Sequence, residues 1–251
     1  MTSPQTSPSI SYKKPPIVEA VLAIHFAETI PLKTIEAFAV KRKAKFPRSE
    51  DLIETKFETN LKDTHKTGVR KVGMRLHSAD GSRLIIFRGD QFALVHLAPY
   101  TDWDCLYDET REHWESLAKI LKHKNISYFS TRYVNRVDIP VDNNKGVDLQ
   151  TYFKIGLMLP IGTAKALHLE NFATTMTLVD PLGAYRFLLQ FSSIQSPLID
   201  CVSYLIDIDL ITSGTHPKKD EDAWSFVKSL RQAKNDLFEA CITDETRKLF
   251  Q

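Results

Sequence analysis

The sequence predicts an α+β protein, a mostly antiparallel sheet with helices on one face, assembled from two similar halves. Three observations lead to that class. Short segments with period-two alternation follow one another with turn residues between them, the signature of a strand meander. Segments with apolar residues at every third or fourth position interrupt the meander at intervals. The element order runs strand, helix, four strands, helix, then strand, helix, three strands, helix, although the halves share no residue-level identity. With no Gly- or Pro-rich linker between Lys124 and Ser127, residues 15–251 read as a single domain with halves at about 15–124 and 126–251.

The opening MTSPQTSPSIS is polar and lacks an apolar core segment, so residues 1–14 read as a disordered tail rather than a secretory signal. Pro15 and Pro16 then favour an extended entry into the apolar strand IVEAVLAIHF. In PLKTIEAFAVKRKAKF, Leu32, Ile35, Phe38, Ala39 and Phe46 recur at helical spacing while the cations fall elsewhere, which is an amphipathic helix. IETKFETNL alternates strictly, Ile53, Thr55, Phe57, Thr59 and Leu61 against Glu54, Lys56, Glu58 and Asn60, as a strand with one wet face does. KVGMRLH and SRLIIFRGDQFALVHL continue the meander through turns at Asp80-Gly81 and Gly89-Asp90.

DWDCLYDETREHWESLAKILKHK closes the first half. Trp103, Leu106, Tyr107, Thr110, Trp114, Leu117, Ala118 and Leu121 form one stripe, Asp102 stands as N-cap, and acids precede lysines as the helix dipole favours. In the second half YFSTRYVNRVDIP is a strand and VDLQTYFKIGLML a short helix that Pro160 ends. NFATTMTLV and AYRFLLQFSSI flank the turn DPLG, and CVSYLIDIDLI is a further strand. The helix DEDAWSFVKSLRQAKNDLFEACI uses Trp224, Val227, Leu230, Leu237, Phe238 and Cys241 as its apolar positions, and Thr243 caps a last turn.

Composition excludes several classes. The chain is 43% hydrophobic and 25% charged with a formal net charge of +2, so there is no global field to attract nucleic acid or an anionic membrane. No apolar run is long enough to span a bilayer. Cys105, Cys201 and Cys241 match no zinc or redox spacing and suit a reducing compartment, which predicts a cytoplasmic protein. No HExxH, P-loop, GxGxxG or GxSxG motif occurs.

Two strands carry charge in their middles. Alternation places Arg132, Val134, Arg136 and Asp138 on one face of RYVNRVDIP, and Leu205, Asp207 and Asp209 on one face of YLIDIDL. If the strands neighbour each other, these arginines and aspartates form an ion-pair ladder. It serves either as a wet sheet face or as the wall of a groove for a protein or an anionic ligand. Glu19, in an otherwise apolar strand, is expected to pair with one of the arginines, because a buried lone carboxylate is expensive. The expected function is non-enzymatic binding or regulation through this face or through the cleft between halves, using Glu19, Arg132, Arg136, Asp138, Asp207 and Asp209. The first alternative is Mg²⁺-dependent phosphoryl or nucleotidyl transfer, with Asp207, Asp209 and Asp138 as metal ligands. The second is nucleic-acid binding through Lys41, Arg42, Lys43 and Lys45.

Several motifs together resemble a sporadically distributed, functionally uncharacterised prokaryotic protein family of similar length. They are Pro15, Pro16, Ile17 and Glu19 near the start; Arg132, Tyr133, Asn135, Arg136 and Asp138 in one strand; and Asn235, Leu237, Phe238 and Glu239 in the last long helix. The resemblance runs from about Lys13 to the C-terminus. It implies no activity or catalytic residue, and the family's patchy occurrence implies an association with mobile elements or phage defence. Where many relatives have a His shortly before the helix Asn, this chain has Arg231, Gln232 and Ala233.

Overall fold

A computed structural model describes residues 12–59, 65–121, 126–141, 146–156, 169–213 and 220–251. One nine-stranded antiparallel sheet runs through both halves. The first half is β1 (Ile17–Phe26), α1 (Leu32–Arg42), β2 (Arg48–Thr59), β3 (His65–His77), β4 (Arg83–Arg88), β5 (Gln91–Leu97) and α2 (Trp103–Ala118). The second is β6 (Ile126–Pro140), α3 (Leu149–Tyr152), β7 (Ala173–Val179), β8 (Tyr185–Ile194), β9 (Cys201–Thr212) and α4 (Asp220–Cys241), followed by α5 (Asp244–Lys248). Across the sheet the order is β2-β3-β4-β5-β1-β6-β9-β8-β7. The halves therefore meet where β1 pairs with β6, and in each half the last strand, β5 or β9, lies next to the seam strand with the earlier strands farther out. The repeated element order in the sequence is this pseudo-symmetric arrangement.

Register explains which residues form the core. Ile24 lies opposite Phe92 on one side and Phe129 on the other, so these side chains share one face. Helices cover that same face. Phe38 of α1 meets Phe87 and Phe92 edge-on at centroid distances of 5.5 and 5.6 Å, Trp114 of α2 stacks on Phe26, and Trp224 of α4 packs on Phe129. Each such fully buried side chain contributes about 1.5–3 kcal/mol relative to exposure. A second cluster gathers Phe153, Phe191, Tyr204 and Ile206. Helix α4 joins the two, contributing Trp224 and Val227 to the first cluster and Leu230 and Phe238 to the second.

Of the stripe read for α2, Trp103, Leu106, Tyr107, Thr110, Trp114 and Leu117 are buried together with His113, and Ala118 and Leu121 are partly buried. The Asp102 side chain caps the helix by accepting from the Cys105 amide. Gly81 in the β3–β4 turn and Gly183 in the β7–β8 turn have φ of 76° and 71°, a conformation that side chains with a Cβ adopt only under strain.

Helices α1 and α2 end at Arg42 and Ala118, short of Phe46 and Leu121 in the stripes read for them, and three further boundaries differ from expectation. Strand β2 begins at Arg48, ahead of its alternating stretch, because the extra residues pair with the far end of β3. Helix α3 ends at Tyr152: Phe153 turns to extended backbone and bridges Ile242, anchoring its ring between Phe191 and Tyr204. Pro160, expected to end that helix, lies outside the described residues. The tail read as extending through residue 14 is held from Tyr12 onward, where the Tyr12 ring packs edge-on against Phe250 and the Lys14 amide donates to the Phe250 carbonyl.

Candidate functional site

The charged strand faces come first, because the sequence singles them out. Strands β6 and β9 are neighbours, with Arg132 across from Asp209, Val134 from Asp207, Arg136 from Leu205 and Asp138 from Ser203. All these side chains stand on the face away from the helices. There Arg132 donates from Nε to both oxygens of Asp207 (2.9 and 3.1 Å), from Nη2 to Asp207 Oδ2 at 2.6 Å, and from Nη1 to Glu19 Oε1 at 3.4 Å. Arg136 Nε donates to both oxygens of Asp138 at 3.0 Å, and Asp138 also accepts from Ser203 Oγ. Of the expected ladder one pair crosses the strands, Arg132–Asp207, while Arg136 pairs with Asp138 within β6, so both cations are already engaged.

The shared space expected for these residues divides into two. Glu19, Arg132 and Asp209 line a hollow of about 590 Å³ on the open face, floored by Val21, Ala93 and Val95. Arg136 and Asp138 line a different hollow, of about 490 Å³, beside Pro16, Tyr100 and Phe250. Within the first, Asp209 is the uncompensated member, because Arg132 turns diagonally to Asp207 and leaves Asp209 Oδ1 buried without a hydrogen bond. Burial, with a smaller push from Asp207 against the pull of Arg132, raises its carboxyl to about 6. Nearby His25 stacks on Tyr128 at 4.0 Å and lies 3.0 Å from Ser130 Oγ, and burial lowers its imidazole to about 4.

Among the described residues Asp138, Asp207 and Asp209 do not converge as a ligand set. Within the described residues the one group of three potential ligands within 4.8 Å of one another is His96, Cys105 and Glu109, elsewhere in the fold. Arg83 occupies that neighbourhood, 3.0 Å from Glu109 and 3.7 Å from the Cys105 sulfur, so a fixed cation already stands there. Burial alone would raise the Glu109 carboxyl, but His113, His96 and Arg83 together hold it down at about 2. Of the basic run at the end of α1, Arg42 lies over the Phe38 ring, Lys45 pairs with Glu112 at 2.8 Å, and Lys41 and Lys43 are exposed.

On the helix side, at the seam between halves, lies a cleft of about 530 Å³. Its walls come from Pro16 and Ile17 at the start of β1, Tyr100 to Trp103 at the entry to α2, Tyr133 and Asn135 of β6, and the second half of α4. Helix periodicity turns Lys234 inward: it follows Leu230 by four residues and precedes Phe238 by four, both in the core. Lys234 is only 7% exposed, and no carboxylate among the described residues lies within ion-pairing distance of it. Its Nζ sits 3.7 Å from the centroid of the Tyr133 ring, a cation–π geometry. Burial, reinforced by Arg231 and opposed by Glu239, brings its ammonium down to about 7.

The other polar groups around the cleft sort into engaged and free. Glu239 accepts from Tyr12 at 2.6 Å and from Arg247 at 2.8 Å. Asn135 donates to the Tyr133 and Ile206 carbonyls. The Tyr100 and Tyr133 hydroxyls lie 3.0 Å apart, and burial holds both phenols above their ordinary range, so they stay protonated. By contrast, the Trp103 indole N–H is buried without an acceptor. Arg231 has one loose ion pair, 3.7 Å to an exposed Asp104.

Sequence reasoning named the cleft between halves but none of these residues as its working groups. The signal was present: Lys234 falls in the gap of the α4 apolar stripe between Leu230 and Leu237. Compared with known proteins, the chain matches no family model, and no curated protein matches it. The resemblance drawn above rests on its motifs alone.

Proposed function

We propose that this chain is a binding protein that takes a small organic anion into the cleft between its halves. Lys234 carries the reading. A buried amine without a carboxylate partner is costly to keep charged, and an incoming carboxylate or phosphate would supply the missing counter-charge. Arg231 and the Trp103 N–H offer further donors, while Tyr12, Tyr100, Trp103, Tyr133 and Phe238 line the cleft with rings suited to a planar apolar body. On the open sheet face, by comparison, Arg132 and Arg136 already bind carboxylates of the chain itself, which disfavours anion capture there.

Thermal unfolding with benzoate, phenyl phosphate and inorganic phosphate tests the proposal. The aromatic anions are expected to raise the melting temperature of the native chain progressively with concentration, and not that of Lys234→Met. Equal shifts in both proteins would refute it.

A further inference from the structure

Resting on that reading, we propose that Lys234 binds covalently as well as electrostatically: its amine condenses with the carbonyl of an anionic aldehyde or ketone to form an imine inside the cleft. Three features support the step. First, Lys234 borders the cavity, so a ligand seated there meets its amine directly. Second, imine formation needs the lone pair on nitrogen. No carboxylate among the described residues forms an ion pair with this amine, and burial, reinforced by Arg231, lowers it to about 7 against the weaker pull of Glu239. Anion binding by itself would be served at least as well by an arginine, which stays charged when buried. Third, Trp103, Tyr133 and Phe238 line the cavity with apolar surface, which limits the water that would hydrolyse the product.

The step balances without any redox partner. The Nζ lone pair attacks the carbonyl carbon, the C=O π pair moves to oxygen, and one proton passes from nitrogen to that oxygen to give a carbinolamine. The nitrogen lone pair then forms the C=N bond as the hydroxyl takes up a second proton and leaves as water. Loss of the remaining N–H proton from the iminium gives the neutral imine. The Tyr100–Tyr133 hydroxyl pair, held protonated in the same wall, is placed to assist departure of the oxygen. When protonated, the product is a cation over the Tyr133 ring, so the ring face that suits the ammonium also suits the iminium.

The test uses the full chain with 4-carboxybenzaldehyde, borohydride reduction and peptide mass spectrometry, with terephthalate as the carbonyl-free competitor. Reduced adduct is expected at Lys234 at least about tenfold faster than at exposed lysines such as Lys33 and Lys43, because desolvation frees the amine. Terephthalate should slow labelling at Lys234 alone, and Lys234→Arg should lose that labelled peptide. Labelling of Lys234 no faster than of the exposed lysines overturns the covalent step. If terephthalate still raises the melting temperature of the native chain in that case, anion binding stands without it. If terephthalate also has no effect, both fall.

Discussion

The two charged regions of this molecule use opposite arrangements. On the open face, Arg132 meets Asp207 and Glu19, and Arg136 meets Asp138, so each cation has its counter-charge within the same sheet. In the cleft, Lys234 lies deeper than either arginine and has an aromatic ring in place of a carboxylate. Partly exposed, paired charges of the first kind add modestly to stability and ask for no ligand. A buried unpaired charge opposes folding, and the energy it withholds becomes available to a partner that completes it. Charge density alone points to the open face of the sheet; the proposed reading follows charge without a partner, which points to the cleft.

The largest expected effect comes from removing the unpaired amine. Lys234→Met should stabilise the free protein by about 1–4 kcal/mol in urea unfolding, as replacing buried charge with apolar volume does elsewhere. The pH dependence should change with it. The Lys234 amine titrates near 7 when folded and at the ordinary 10.5 when unfolded, so between those values the unfolded chain binds more protons. Stability from this group consequently rises from pH 7 to 10.5, and the rise should disappear in the variant. Next in size, Asp207→Asn strips Arg132 of its bidentate partner and should cost about 1–3 kcal/mol. It should leave the melting-temperature response to benzoate unchanged. A lost response would mean that the two regions are not independent.

A smaller effect separates His25 from Asp209 within the open-face hollow. His25 is lowered from 6.5 to about 4, so acidification through that window favours the unfolded chain. Asp209 is raised from 3.8 to about 6, so acidification through its window favours the folded chain. Their contributions oppose each other between pH 6 and 4. Asp209→Asn should steepen the acid loss of melting temperature, and His25→Phe should flatten or reverse it. Identical profiles for both variants would contradict the opposed signs. The smallest change is Thr246→Val, which removes a fully buried hydroxyl bound to the Tyr152 carbonyl. That carbonyl also accepts from the Thr243 amide, so the loss should stay near about 1 kcal/mol by thermal unfolding.

Much of the fold was legible because local periodicity and burial agree. The α2 stripe from Trp103 to Leu117 and the alternation of Tyr204, Ile206, Ile208 and Leu210 each report the face that meets the core. Where tertiary contacts override local pattern, sequence failed: nothing near Phe153 announces that it leaves a helix to pair with Ile242. The ladder was legible as two charged strand faces, but its diagonal pairing was not. Arg132 lies across from Asp209 and yet binds Asp207, a choice made by side-chain reach. The cleft was hardest to see, because its walls come from separate segments spread between Tyr12 and Arg247 and its proposed key residue reads in isolation as a polar break in an amphipathic helix. A lysine where the helical repeat calls for an apolar residue was the readable clue.

The most direct test is an NMR titration of the Lys234 side chain, followed at its ε-carbon, with and without benzoate. The account predicts a midpoint near 7 in the free protein that moves upward when benzoate binds, as the carboxylate restores the charge. A Lys234 that titrates with the exposed lysines and ignores benzoate would contradict it.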